Sequence, residues 1–242
     1  MTLSPILARG PVSSIEEAVA MMTAIDDNLP DSDGVKWFNR LYLRVTVSVA
    51  QAIVSAKFND AAFLTNLDVV FANQYFSALT AGVTNVASAP SAWRPLLQSR
   101  HDTGIARIQF ALAGMNAHIN RDLPDGIVQS FTALGGDPIT DQDRQADFDS
   151  VNDILERVED EVKREFTVGV VGAVDRLSGS LDDAVAMWKV RAARSAAWTN
   201  AQVLWGLRGF PGVRDRFFHR LDGLVGMTGR GLLVPRHRAI VR

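Results

Sequence analysis

The chain contains no cysteine. That excludes disulfides, thiolate-held metal ions and cysteine nucleophiles. It has only four histidines, His101, His118, His219 and His237, too few for a site built on many imidazole ligands. Lysine is scarce: four lysines stand against 21 arginines, the imprint of a GC-rich coding sequence. No apolar run approaches the roughly 20 residues that a membrane-spanning helix needs. The opening MTLSPILARGPVSS lacks the charged start and long apolar core of a signal peptide. A cytoplasmic protein without a membrane partner is expected. A net charge of −2 over 242 residues gives no overall basic surface, so no nucleic-acid partner is expected. There is no G-x-S-x-G segment for a serine-hydrolase elbow. The glycines from Gly223 to Gly231 follow no strand, which excludes a phosphate-binding or dinucleotide loop. Period-two alternation of apolar and polar residues is also nearly missing.

What the chain does have is helical periodicity along almost all of its length. Ser14 with Glu17 makes a capping box for a helix from Ile15 to Leu29. A second helix runs from about Val35 to Lys57, its core stripe formed by Phe38, Leu41, Tyr42, Val45, Val49 and Ile53, with Arg40 and Arg44 on another face. Asn59 or Asp60 can cap a very apolar helix to about Leu79, in which Asp68, Asn73 and Tyr75 stand out as exceptions. Ser91 is placed to cap a short helix holding Trp93 and Arg100. Pro124 suits the first turn of another short helix that ends at Gly135-Gly136. Later helices cover the acidic stretch to about Phe166, Leu181 to Leu207, and Val213 to Val225. Asp141 to Glu165 carries a net −6, and Trp205 to Arg242 a net +6; both are expected as solvated faces. The sum is an all-α, single globular domain of about eight to ten helices around a buried central helix. It spans residues 1–242, with an N-terminal arm at 1–12 and an Arg-rich tail at 229–242.

The central helix is Gly104 to Leu123. It is apolar on more than one side, yet Asn116, His118, Asn120, Arg121 and Asp122 crowd its C-terminal end. Such groups are costly inside a protein unless hydrogen-bonded, paired or metal-bound. Residues four apart share a helix face, so His118 and Asp122 sit together, and Asn116 and Asn120 pair on the opposite side. His118 and Asp122 admit three roles. They can simply fasten helices. Asp122 can orient His118 as a general acid or base, with Asn116 or Asn120 holding a substrate oxygen. Or the H-x-x-x-D spacing can hold a divalent metal, with His101 or Asp102 supplying further ligands. That spacing resembles one pair in the all-α zinc phospholipase C group, whose many further histidines are missing here.

On the helix Leu181 to Leu207, Trp188, Arg191, Ser195, Trp198, Gln202 and Trp205 recur at spacings of three and four. Three tryptophans alternating with polar groups suit the wall of a small-molecule pocket, to which Arg40 and Tyr42 could add a cation and a hydroxyl. The competing explanation is core packing of each indole, with Arg191 paired to an acid of the acidic helix. Asp26 to Asp31 fits the D-D-x-x-x-D pattern of class I terpene cyclases, and Asn152, Glu156 and Asp160 loosely follow their second motif. Glu156 and Asp160 depart from it, and Pro30 breaks the helix that would present the first.

The segments NRLYLRVT (Asn39 to Thr46), SAWRPLLQSR (Ser91 to Arg100), ALAGMNAHINRDLP and AAWTNAQVLWGLRG (Ala196 to Gly209) resemble an uncharacterised actinobacterial family, a domain of unknown function. The resemblance covers about residues 13 to 235. It implies an actinobacterial origin, one helical domain and an association with specialised metabolism, but no established reaction. From the residues themselves we expect a small-molecule enzyme acting by acid–base chemistry on a largely apolar substrate: cyclisation, isomerisation or hydrolysis. His118, Asp122, Asn116 and Asn120 are its candidate catalytic residues, and Trp188, Arg191, Trp198, Arg40 and Tyr42 its candidate substrate-binding residues. No organic cofactor is expected. A metal-dependent hydrolase, with His101, His118 and Asp122 as ligands, is one alternative, and a non-catalytic binding or scaffolding protein the other. A homodimer is left open.

Overall fold

Residues 3–55, 58–158 and 190–235 are described in the computed structural model of the chain, and all of their regular structure is helical. The short α1 (Ser4–Leu7) buries Ile6 and Leu7. Val12 then exchanges two hydrogen bonds with the side-chain amide of Asn73, at 2.8 and 2.9 Å. The described part of the expected arm is therefore pinned to the body of the protein. α2 (Ile15–Asn28) starts at Ser14, whose Oγ accepts the Glu17 N–H, while the Glu17 carboxylate accepts the Ser13 N–H at 2.7 Å. α3 (Gly34–Ser55) buries Phe38, Leu41, Tyr42 and Val49 on the stripe that the period predicts. Each such side chain contributes about 1.5–3 kcal/mol on leaving water.

α4 (Ala61–Thr84) is capped by Asp60, whose carboxylate accepts the Phe63 N–H at 2.9 Å. It runs past Leu79 for more than another turn. α5 (Arg94–Ser99) is not capped by Ser91. The Asp222 carboxylate, remote in sequence, accepts the N–H groups of Ser91 and Ala92 at 2.8 and 3.0 Å.

The central helix differs from expectation in one respect that matters for the site. α6 (Arg107–Ala117) and α7 (Leu123–Leu134) are joined without a break by a π-helical turn, His118–Asp122. Pro124 lies in the first turn of α7, with no loop before it. A proline inside a continuous α-helix clashes with the carbonyl four residues back and leaves it without a donor. The wider turn relieves this: the Leu123 N–H reaches back five residues to the His118 carbonyl. The helix ends at Gly135, whose φ of 78° is open to glycine at little cost.

α8 (Gln142–Ser150) is capped by Asp141, and after a turn at Val151 the helical residues 152–158 follow as α9. α10 (Val190–Gly206) and α11 (Pro211–Leu232) complete the described elements; α11 extends well past the expected Val225. None of these helices is long and apolar enough to cross a membrane.

The chain folds as one all-α domain with the α6–π–α7 rod at its centre. α6 packs on α3 and α11, and α7 on α4 and α10. Gly114 lets α3 approach: a Cβ there would sit 2.2 Å from the Phe38 ring. Two apolar cores result. One gathers Phe38, Tyr75 and Trp93; the other gathers Phe63, Phe131, Phe148 and Trp198. Val45, Phe71 and Met115 touch both, so the seam between the cores lies beside the π turn.

Candidate functional site

His118 opens the π turn and Asp122 closes it. The imidazole Nδ1 lies 2.9 Å from Asp122 Oδ2, with His118 2 % and Asp122 0 % exposed. The same Oδ2 accepts the Trp93 indole N–H at 2.9 Å, and Oδ1 accepts from Arg121 at 2.7 Å. A carboxylate only accepts hydrogen bonds, so the hydrogen between His118 and Asp122 belongs to Nδ1. In the neutral ring Nε2 then carries a lone pair, and Nε2 is buried without a partner. The ring stacks on Phe71 at 3.4 Å between centroids and 3° between planes, and meets Tyr42 edge-on at 4.6 Å. Burial pushes the His118 pKa below its ordinary value; the Asp122 hydrogen bond opposes this but does not overcome it. The free base is therefore the dominant form at neutral pH.

Beside His118, along the seam, lies a recessed cavity of about 100 Å³. Its wall is mainly aliphatic and aromatic, from Leu41, Val45, Leu64, Phe71, Met115 and Ile119 among others, and among the described residues His118, Tyr42, Asp68 and Arg194 are the ones that bring polar side chains to it. Asp68 on α4 has an unpartnered, buried Oδ2. Burial raises its pKa to about 7, against the pull of the Arg194 cation. The Tyr42 hydroxyl on α3 is likewise buried, with the Thr46 hydroxyl one turn further on beside it; its pKa is raised by burial first, against the Thr46 hydroxyl, and by Asp68 second. Arg194 donates to Asn152 Oδ1 and to the Phe148 carbonyl, both at 2.7 Å, and its guanidinium lies 3.9 Å from the centre of the Phe148 ring. Burial lowers its pKa to about 10, which leaves it charged.

The residues singled out from the sequence divide sharply. His118, Asp122 and Tyr42 come together. Asn116 and Asn120 do pair, at 3.2 Å, but Asn116 donates to the Val225 carbonyl of α11 at 2.9 Å, away from the cavity. Arg40 is held by Asp26 through two bonds of 3.2 Å and does not line the cavity. Trp198 packs in the second core among Phe63, Phe131 and Phe148. Arg191 is half-exposed and bridges Asp153 and Glu156, each at 2.8 Å. Trp188 lies outside the described residues.

The inward face of α10 is thus centred on Val190, Arg194, Ala197, Ala201 and Leu204, about one residue round from the tryptophan-led stripe, of which Trp198 is also buried. Small alanines set it, because they let α10 close on α7. His101 is exposed on the surface, 3.9 Å from Asp33, while His118 is buried. Among the described residues no group of three or more His, Asp or Glu side chains is placed to hold a metal ion.

Asp68, Arg194, Trp93 and Phe71 are the site residues that sequence reasoning missed. Asp68 carried a signal, being the one acid inside a very apolar helix. Trp93 and Phe71 looked like any other core aromatic.

Comparison with known proteins adds kinship without an activity. No curated protein and no solved structure matches the chain. A family described as a family of unknown function (DUF5995) matches residues 15–235, nearly the whole length, and to that family the chain belongs.

Proposed function

We propose that this chain is a small-molecule enzyme that acts by acid–base chemistry on a largely apolar substrate, with His118 as the base. One observation carries the proposal: His118 lines the cavity, and its Nε2 is buried and unpartnered while Asp122 holds Nδ1. A histidine serving only to fasten helices has no use for an orphaned nitrogen, which costs about 1–3 kcal/mol. A general base needs that lone pair free, oriented and mostly unprotonated at working pH. Asp122 is the orienter, and Trp93 and Arg121 keep Asp122 in place.

The apolar wall supports an apolar substrate. A cavity of about 150 Å³ is known to hold benzene, so about 100 Å³ takes a molecule of a few heavy atoms or the reacting end of a larger one. Among cyclisation, isomerisation and hydrolysis, isomerisation by proton transfer makes the most of a site that excludes water. Specialised metabolism is the setting that the family resemblance suggests.

A non-catalytic binding protein is the second reading. It draws on the close stack of His118 on Phe71, which would serve a rigid core equally well. The two separate on a panel of small ketones, lactones and alkenes, assayed for binding by ligand-observed NMR and for conversion by mass spectrometry. Conversion by the wild type that is lost in a folded His118→Gln variant supports the enzyme. Binding without conversion favours the second reading, and unchanged conversion in folded His118→Gln removes His118 as the base.

A further inference from the structure

Three residues with buried polar atoms line one cavity from three different elements: Tyr42 (Oη) on α3, Asp68 (Oδ2) on α4 and His118 (Nε2) on the π turn. All three atoms are buried; Asp68 Oδ2 and His118 Nε2 have no hydrogen-bond partner, and the Tyr42 hydroxyl has the Thr46 hydroxyl beside it. Native interiors leave few polar groups unsatisfied, and each one costs about 1–3 kcal/mol. Two of them with a phenol hydroxyl, around one apolar cavity, form a pattern that a ligand would complete.

The three atoms are not equivalent. Nε2 of the neutral ring can only accept, because Asp122 holds the ring hydrogen at Nδ1. The Tyr42 hydroxyl and a protonated Asp68 carboxyl can both donate. Burial keeps the protonated form of Asp68 available at neutral pH. Two of the Arg194 nitrogens are engaged by Asn152 and Phe148; the cation favours the ionised form of Asp68, and burial outweighs it. A molecule that completes the cavity offers a hydrogen on one side and an oxygen acceptor on the other, on an otherwise apolar frame.

Resting on the proposed acid–base function, we infer that the substrate is a small apolar aldehyde or ketone with a C–H next to its carbonyl, the oxygen held by Tyr42 and Asp68 and the proton moved by His118. The step balances without any co-reactant. Nε2 takes the proton from the carbon beside the carbonyl, and that C–H pair becomes the C=C bond of the enol. The carbonyl π pair moves to oxygen, which takes the Asp68 proton while Tyr42 donates a hydrogen bond to it. Return of the Nε2 proton to carbon, and of the enol proton to Asp68, restores both residues. Return to a different carbon of a conjugated enol gives an isomer; return to the same carbon gives only exchange.

Exchange makes the test independent of knowing the natural substrate. Full-length protein in deuterium oxide is given cyclopentanone, and loss of its α-proton signals is followed by NMR. Binding of cyclopentanone and of methylenecyclopentane, of the same shape without the oxygen, is measured by saturation transfer. The expected result is exchange about 100-fold faster than with free imidazole at equal concentration. Tyr42→Phe and Asp68→Asn should each slow it by about tenfold or more while cyclopentanone still binds. Cyclopentanone that binds yet exchanges no faster than with imidazole overturns the carbonyl inference and leaves the binding cavity standing. Undiminished exchange in both folded variants overturns it too. If neither compound binds, the cavity reading and the carbonyl inference fall together. The wild-type measurement decides the matter even where a variant does not fold.

Discussion

Trp93 and His118 donate to the same oxygen, Oδ2 of Asp122, each at 2.9 Å. Trp93 comes from the start of α5 and is fully buried; His118 begins the π turn. A single carboxylate oxygen thus ties a distant indole to the imidazole, whose other nitrogen is left buried without a partner. Arg121 occupies the second oxygen at 2.7 Å. Asp122 is the hub of the site, and removing it strands three donors.

Asp122→Ala should therefore destabilise the protein by about 3–5 kcal/mol, the range for breaking a buried charged network by removing one partner. Urea unfolding of wild type and variant measures it. A loss below about 1 kcal/mol, typical of an exposed pair, would mean that the network contributes nothing to the fold.

The tautomer of His118 is directly observable. Nitrogen NMR of labelled protein should show the ring hydrogen on Nδ1 and a bare Nε2 at neutral pH, with a midpoint below the ordinary histidine value, since burial disfavours the cation. The sign for stability follows. The folded state binds this proton less readily than the unfolded chain, so His118 contributes stability above the unfolded pKa of about 6.5 that is lost as pH falls through the folded value. A midpoint above 6.5 would contradict the burial argument.

Asp68 should behave in the opposite sense. Its pKa rises from 3.8 to about 7 on folding. The folded state holds this proton more tightly, so the contribution is fully present below 3.8 and is lost as pH rises through about 7. Asp68→Asn removes that titration. Relative to wild type, the variant should gain about 2–4 kcal/mol between pH 4 and pH 8. Urea unfolding at the two pH values checks this, and a gap that stays constant would show that Asp68 is not desolvated.

Gly114→Ala probes the approach of α3 to α6. The new methyl would lie 2.2 Å from the Phe38 ring. Relief requires α3, which also carries Tyr42, to move. Overpacking of this kind costs about 1–3 kcal/mol, and the variant should also bind cavity ligands more weakly. Thermal melts and ligand-observed NMR report the two effects. A variant equal to wild type in both would show that the helices are less tightly opposed.

Local rules were enough for much of this molecule. The helical period, the Ser14 and Asp60 caps and the glycine stop at Gly135 depend on a few neighbouring residues, and they appear where the sequence places them. The pairing of His118 with Asp122 is local in the same way, because four residues along a helix bring two side chains to one face. The α10 face was harder. Spacings of three and four identify residues that share a side but not which side turns inward. Tryptophan size suggested one stripe, and the close approach of α10 to α7 selected the alanine-rich one beside it.

The sequence by itself determined an all-α chain with a polar pair embedded in an apolar central helix, since both follow from period and composition. Only the tertiary structure decided what that pair faces. Packing around Pro124 widened the helix into a π turn, Trp93 reached Asp122 from 29 residues away, and α3, α4 and α10 delivered Tyr42, Asp68 and Arg194 to one cavity. Those meetings depend on how helices cross, which is settled by the burial of many side chains at once. No short stretch of sequence encodes it, and so Asp68, visible as one acid in an apolar helix, acquired its partners only in the folded chain.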